Sequence, residues 1–173
     1  PFWYASNSGL MDRYAGRLMD RTAEWESRWW SPVINAEHLA MRDAAALVDL
    51  SAFAILEISG PAALDAVQNL SVAQLNVPVG RVVYTSWLDE NGGFRADLTV
   101  MRLAEDRFRV VTGGATGMSD AAWIRRHLPP GAFLADLTSA WTTIGLWGPR
   151  ARDVLAAVNA DDVSHKGFGF GTC

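Results

Sequence analysis

"RVVYTSWLDENGGFRADLTVMRLAEDRFRVVTG", residues 81–113, reads as three strands joined by two tight turns. "RVVYTSWL", "FRADLTVMRL" and "FRVVTG" are rich in β-branched and aromatic residues, and "ENGG" and "AEDR" carry the residues that tight turns need. Turns this short join only antiparallel neighbours, so the stretch predicts a hairpin sheet rather than a parallel one. Alternation along the middle strand puts Phe94, Ala96, Leu98 and Val100 on one side and Arg95, Asp97, Thr99 and Met101 on the other. Asp97 is out of place there. Aspartate is depleted from strand interiors because its side chain competes for backbone hydrogen bonds, so one found there faces water or is used. Tyr84 lies on the adjoining strand, and a Tyr and an Asp side by side suit a flat nitrogen heterocycle: one stacks, the other accepts an N–H.

Outward from the hairpins, strands and helices alternate. "NAEHLAMRDAAALV" predicts a helix with Asn35 as N-cap, "AFAILEI" a strand, and "SGPAALDAVQNL" a helix opened by Ser59 and Pro61. "MSDAAWIRRHL" is an amphipathic helix stopped by Pro129, Pro130 and Gly131. A repeat then becomes visible. "AFAILEISGPAALDAV", residues 52–67, aligns without a gap on "AWTTIGLWGPRARDVL", residues 140–155, with Gly60, Pro61, Ala63 and Asp65 matched by Gly148, Pro149, Ala151 and Asp153. "DLS" at 49–51 likewise answers "DLT" at 136–138. Strand, Gly-Pro turn and helix are built twice, which predicts an α+β fold of antiparallel hairpins and helices in two pseudo-repeated halves.

Composition narrows the function classes. Half of the 173 residues are apolar, with 8 Trp and 7 Phe, which is ample for a core. A net charge of −4 with scattered arginines argues against a nucleic-acid partner. His38, His127 and His165 are too dispersed to share a metal, and the single cysteine, Cys173, allows no disulfide framework, so a reducing cytoplasm is the expected compartment. No apolar run reaches the ~20 residues of a membrane span. Residues 1–34 are dense in Trp and Tyr and are expected to act as a lead-in or linker strap ahead of a domain over 35–173.

"VGRVVYTSWLDENGGFRADLTVMRLAEDRFRVVTGG" together with "AEHLAMRDAAALVDLSAF" resembles the folate-binding domain shared by the aminomethyltransferase of the glycine cleavage system (the T-protein) and the C-terminal part of dimethylglycine and sarcosine dehydrogenases. The resemblance runs from about Trp29 to the end, and "DLSAF", "AWIRRHLP" and "GLWGPRARDVL" lean toward the dehydrogenase branch. It implies an aminomethyltransferase-like enzyme in which tetrahydrofolate accepts a methylene group from an iminium or aminomethyl donor, giving 5,10-methylenetetrahydrofolate and a demethylated amine or ammonia. The donor would be a methylated amine or an aminomethyl carrier, and FAD would enter only with an upstream oxidase domain in the full-length chain. By the same resemblance, Asp97 matches the catalytic carboxylate, expected in a water-poor cleft, Tyr84 the tyrosine lining the folate, Phe53 a pocket wall, and Val110 and Gly113 further cofactor contacts. The chain departs from many aminomethyltransferases at Ser51-Ala52-Phe53, where they carry Ser-His-Met, and at Gly113, where they carry Asn. A glutamate motif that clasps the pterin in the family would lie past Cys173, so the chain is expected to be a fragment, the N-terminal part of such a domain, binding folate weakly by itself.

Two other readings compete. The "VVTGGATGMS" stretch, residues 110–119, has the strand–glycine–helix order of a dinucleotide cradle, although Ser119 stands where a third glycine is expected. Alternatively, a folate-type domain serves as a structural or regulatory module without turnover.

Overall fold

The computed structural model describes residues 8–18 and 31–173. Most of the Trp-rich lead-in therefore lies outside the described residues. The chain divides into two compact units, one drawn from the residues before Asp49 with Gly145–Val163, the other from Asp49–Ile144 with Ser164–Cys173.

In the first unit, helix α1 (Ser8–Tyr14) precedes helix α2 (Pro32–Asp43), and strands β1 (Ala46–Asp49) and β7 (Ile144–Trp147) form a two-stranded sheet followed by helix α5 (Ala151–Ala156). Arg17, in the 3-10 turn that follows α1, pairs with Asp43 at the end of α2. The helix expected from Asn35 starts earlier and stops sooner. Ser31 is the cap, its hydroxyl accepting the Ile34 N–H at 3.5 Å with Pro32 in the first turn, so Asn35 is interior. The helix stops at Asp43 because the Ala44 carbonyl is taken by the Arg150 N–H at 2.9 Å, and Ala46–Asp49, read as helix from sequence, pairs with β7 instead. Tertiary pairing overrides local propensity at this point.

The second unit is a five-stranded antiparallel sheet in the order β3 (Val82–Leu88), β4 (Phe94–Ala104), β5 (Arg107–Thr112), β2 (Ala54–Ser59), β6 (Phe133–Asp136). One face carries helices α3 (Ala63–Leu70) and α4 (Gly117–His127). Ala63, Ala66, Val67 and Leu70 recur at helical spacing and pack on Leu56, Ile58, Leu98, Val100, Phe108 and Val110, which alternate along their strands. Pro129 and Pro130 end α4 by removing donors and disfavouring helix in the preceding residue. The antiparallel ladder on both sides of β5 rules out the parallel sheet that a dinucleotide cradle at 110–119 requires.

One face assignment changes. A bulge between Trp87 and Leu88 sets Phe94 opposite Leu88 and Ala96 opposite Trp87, leaving Arg95 over. Phe94 is exposed and Arg95 stacks 4.4 Å from the Trp123 ring, the reverse of simple alternation. The bulge restores the phase before Asp97.

The repeat is physical. Gly60 and Gly148 have φ of +107° and +112°, and the residues two places on, Ala62 and Arg150, sit at φ/ψ of −100°/13° and −102°/11° before α3 and α5. Asp49 accepts the Ser51 N–H at 2.9 Å and Asp136 the Thr138 N–H at 3.0 Å; the Ser51 backbone and hydroxyl hold the Asp49 carboxyl below the usual range, and the Thr138 hydroxyl and then its backbone do the same for Asp136. The two copies also exchange bonds. Ile55 donates its N–H to the Thr138 hydroxyl at 3.1 Å and accepts from Leu137 at 2.8 Å; Thr143, its repeat mate, donates to the Ser51 hydroxyl at 3.3 Å and accepts from Leu50 at 2.8 Å.

Candidate functional site

Asp97 sits in the middle of β4 on the sheet face opposite α3 and α4, where Tyr84, Thr99, Met101, Val111, Arg109 and Ile55 also fall by alternation. The Tyr84 hydroxyl donates to Asp97 Oδ2 at 2.7 Å. Tyr84 pairs with Thr99 and Ser86 with Asp97, so this is a diagonal cross-strand contact that a long side chain can span. Tyr84 is 68% exposed. A ring that large on an open sheet face, tied to a carboxylate, is a presented group rather than a core aromatic.

Register extends the site. Thr99 faces Val111 and Ala54 faces Thr112, where the two ladders end; carried two residues past the first pair and one past the second, the same register sets Gly113 level with Asp97 and Phe53 level with Gly113. Tyr84, Thr99, Val111 and Ile55 share one row of the sheet, and the extended register makes Asp97, Gly113 and Phe53 the first row beyond it. At about 4.8 Å between strands, the first row spans roughly 10 Å. Tyr84 and Asp97 touch, and Gly113 and Phe53, just past β5 and just before β2, join them at that end of the sheet. Val110 does not. Its side chain is fully buried between the sheet and the helices, because in β5 the even positions point to the core; Val111 holds the place on the Asp97 face.

Asp97 is exposed, contrary to the enclosed setting expected for it, since the described helices of this unit cover the other face. Tyr84 is its hydrogen-bond partner among the described residues. That bond, with partial desolvation and the neighbouring negative charge, raises the Tyr84 phenol above its ordinary value of 10.0, because the phenolate would lose the bond and meet a carboxylate. The bond is intact below pH 10 and is lost as pH rises through the raised pKa. An ultraviolet titration of the chain, corrected by subtracting Tyr84→Phe, is expected to show this phenol titrating late, and Asp97→Ala is expected to return it toward 10. An unchanged curve in Asp97→Ala would remove the contact.

Beyond Ile55 and Val111 the same face opens into a cleft of about 270 Å³, with Met101 and Arg109 on its floor and the Trp141–Ile144 segment as a wall. Arg109 pairs with Glu57 at 3.1 Å and lies 4.4 Å from the Trp141 ring, so its charge is balanced and its plane covered. Sequence reading passed over Val111, Ile55, Arg109 and Trp141. The available signal was strand parity counted from Asp97, and the repeat, which sets Trp141 where the first copy has Phe53.

The family model described as the GCVT N-terminal domain matches residues 1–173. This chain belongs to the GCVT N-terminal domain family. The 4-methylaminobutanoate oxidase (formaldehyde-forming) of Paenarthrobacter nicotinovorans is 38% identical to this GCVT N-terminal domain over 138 residues, 79% of the chain and 17% of the oxidase. The mitochondrial pyruvate dehydrogenase phosphatase regulatory subunit of Mus musculus is 33% identical over 134 residues, 75% of the chain and 15% of that protein. Among solved structures, the glycine cleavage system aminomethyltransferase T of Bartonella henselae superposes with a TM-score of 0.66 at 29% identity, over 70% of this chain and 34% of the enzyme. The GCVT N-terminal domain described here thus spans about a sixth of each of these curated relatives and a third of the solved enzyme. Among the described residues, no helix is long and apolar enough to cross a membrane.

Proposed function

We propose that this chain is part of a tetrahydrofolate-dependent protein that moves a one-carbon unit from an iminium or aminomethyl donor, with Asp97 as the catalytic carboxylate. The single observation behind this reading is the Asp97–Tyr84 pair, presented on the sheet face that also holds Val111 and Ile55. An acid beside an exposed aromatic, flanked by apolar side chains, fits a planar ring bearing an N–H. Membership of the GCVT N-terminal domain family, and likeness to an enzyme named aminomethyltransferase and to one named formaldehyde-forming oxidase, support the same chemistry.

Tetrahydrofolate, when bound, supplies the amine nitrogen that accepts the carbon. Asp97 accepts a hydrogen bond from an N–H on that face, can take its proton, and sets a negative charge beside a cationic donor. Tyr84 holds one carboxylate oxygen and leaves the other for the ligand. Phe53, Val111 and Ile55 exclude water from the ring's flanks, and Gly113 lets the ligand approach the backbone. Residues 35–173 are then the N-terminal part of the folate domain, residues 1–34 its lead-in, and an FAD-containing domain belongs to the full-length chain if the oxidase likeness holds. The test is to purify the full-length protein, supply tetrahydrofolate with a panel of methylated amines, and follow tetrahydrofolate-dependent loss of free formaldehyde. Formaldehyde release unchanged by tetrahydrofolate would sink the reading.

The likeness to a subunit named regulatory favours a second reading, a folate-type domain that binds without turnover. In that case tetrahydrofolate binds, and Asp97→Ala changes no rate.

A further inference from the structure

Asp120 is a buried carboxylate that the chemistry above does not use. It lies in the first turns of α4, beside Ala121 and Ile124 of the core, and is 3% exposed. An apolar residue would suit that position better, because burying a carboxylate is unfavourable unless hydrogen bonds compensate. Compensation here comes from one loop. Thr112, 2% exposed at the end of β5, donates its hydroxyl to Asp120 Oδ2 at 2.7 Å, and the Thr116 hydroxyl reaches the same oxygen at 2.9 Å. The Asp120 N–H returns a bond to the Thr116 carbonyl at 2.9 Å. The positive end of the eleven-residue α4 adds a favourable field.

Both hydroxyls belong to residues flanking Gly113, Gly114 and Ala115, so one carboxylate oxygen ties the two ends of that turn together. Within it the Gly113 carbonyl accepts the Thr116 N–H at 3.1 Å. The turn is pressed against the chain entering β2, where Phe53 lies: a Cβ on Gly114 would overlap the Ala52 carbonyl oxygen, and one on Gly117 would overlap the Ala54 Cβ. The turn follows directly on Thr112, which pairs with Ala54 next to Phe53, and the β4–β5 ladder that ends at Thr99 and Val111 brings it toward Asp97. What reads in sequence as a glycine-rich phosphate cradle is thus a loop clamped from behind.

We infer that Asp120, acting through Thr112 and Thr116, is a positioning residue that holds Gly113 and Phe53 in place beside Asp97 and so sets affinity for a ligand on that face; this rests on the reading of the face as the tetrahydrofolate site. Losing the clamp loosens the turn without touching the reacting groups.

In the full-length protein, Thr116→Val removes one hydroxyl at constant size, and Thr116→Ser keeps it. Thr116→Val is expected to raise the tetrahydrofolate Kd, read by calorimetry, and the hydrogen-exchange rate of the Thr116 and Gly117 amides, which bond back to Gly113 and Gly114, about tenfold each, the loss of one charge-assisted hydrogen bond. Thr116→Ser restores both, and Asp120→Asn reproduces the Val phenotype. Unchanged Kd and exchange in both Thr116→Val and Asp120→Asn overturns the clamp, as does a fall in melting temperature with Kd unmoved, which marks a merely structural role. Asp97→Ala in the same series separates the two ideas. If it leaves transfer intact, the assignment of Asp97 and of this face as the reacting site fails, whereas if it abolishes transfer while Thr116→Val leaves Kd alone, only the clamp fails. The exchange readout needs no ligand, so it decides the clamp even if the wild type binds no tetrahydrofolate.

Discussion

Asp97→Ala in the full-length protein is expected to lower one-carbon transfer to tetrahydrofolate by about 10²–10⁴-fold, the usual range for losing a positioned general base. The fold should not notice. Asp97 is exposed, and its partner Tyr84 remains hydrated without it, so stability is expected to stay within about 0.5 kcal/mol. On the proposed reading the loss should fall mainly on kcat, because the carboxylate would act on charge and protons that appear as the reaction proceeds, while the apolar neighbours Val111 and Ile55 would go on flanking the ring. Asp97→Asn separates the parts of that role: it keeps an acceptor for Tyr84 but loses the charge, so its activity should lie near that of Asp97→Ala. Transfer at the wild-type rate in both variants would take Asp97 out of the mechanism.

Gly60→Ala is expected to be among the most destabilising single-methyl changes in the second unit. Gly60 sits at φ +107°, where an L-residue is strained, and an added Cβ would overlap the Gly131 carbonyl oxygen and press on the Phe133 ring. Strain of roughly 1–2 kcal/mol from the backbone and about 1–3 kcal/mol from overpacking sum to roughly 2–5 kcal/mol. For a domain of this size that is a fall of roughly 10 °C in melting temperature. Gly148→Ala should behave alike, because its φ is +112° and its Cβ would overlap the carbonyl oxygens of Ala44 and Met41. Gly92→Ala is the control. It has φ +80° with open space around it, so only the backbone part, about 1 kcal/mol, should appear in calorimetric unfolding. Equal losses at Gly60 and Gly92 would show that the close approach of backbone to backbone contributes nothing.

These two glycines explain why the duplication was visible before any coordinates. Gly-Pro after a strand imposes a turn with few alternatives, so the second copy kept the same residues and the same dihedrals. The hairpins were legible for a related reason: period-two patterning and turn chemistry act over a few residues, and β4 spans Phe94–Ala104 as its pattern requires. The end of α2 was not. Nothing local distinguishes Ala46–Asp49 from more helix; what decides is a hydrogen bond from Arg150 and a strand partner in β7, far along the chain.

The candidate site divides along the same line. Asp97 stood out from the sequence because a carboxylate in a strand interior contradicts local preference, and Tyr84 because it lies on the strand before it. By itself the sequence determined the antiparallel α+β class, the duplicated strand–turn–helix and that pair of residues, since each rests on spacing within one or two elements. Only tertiary structure decided that Val111 rather than Val110 faces Asp97, that a bulge reverses Phe94 and Arg95, and that Asp120 holds the glycine turn from the core side. Those outcomes depend on register and on which helix covers which face, and both are set by contacts between residues distant in the chain.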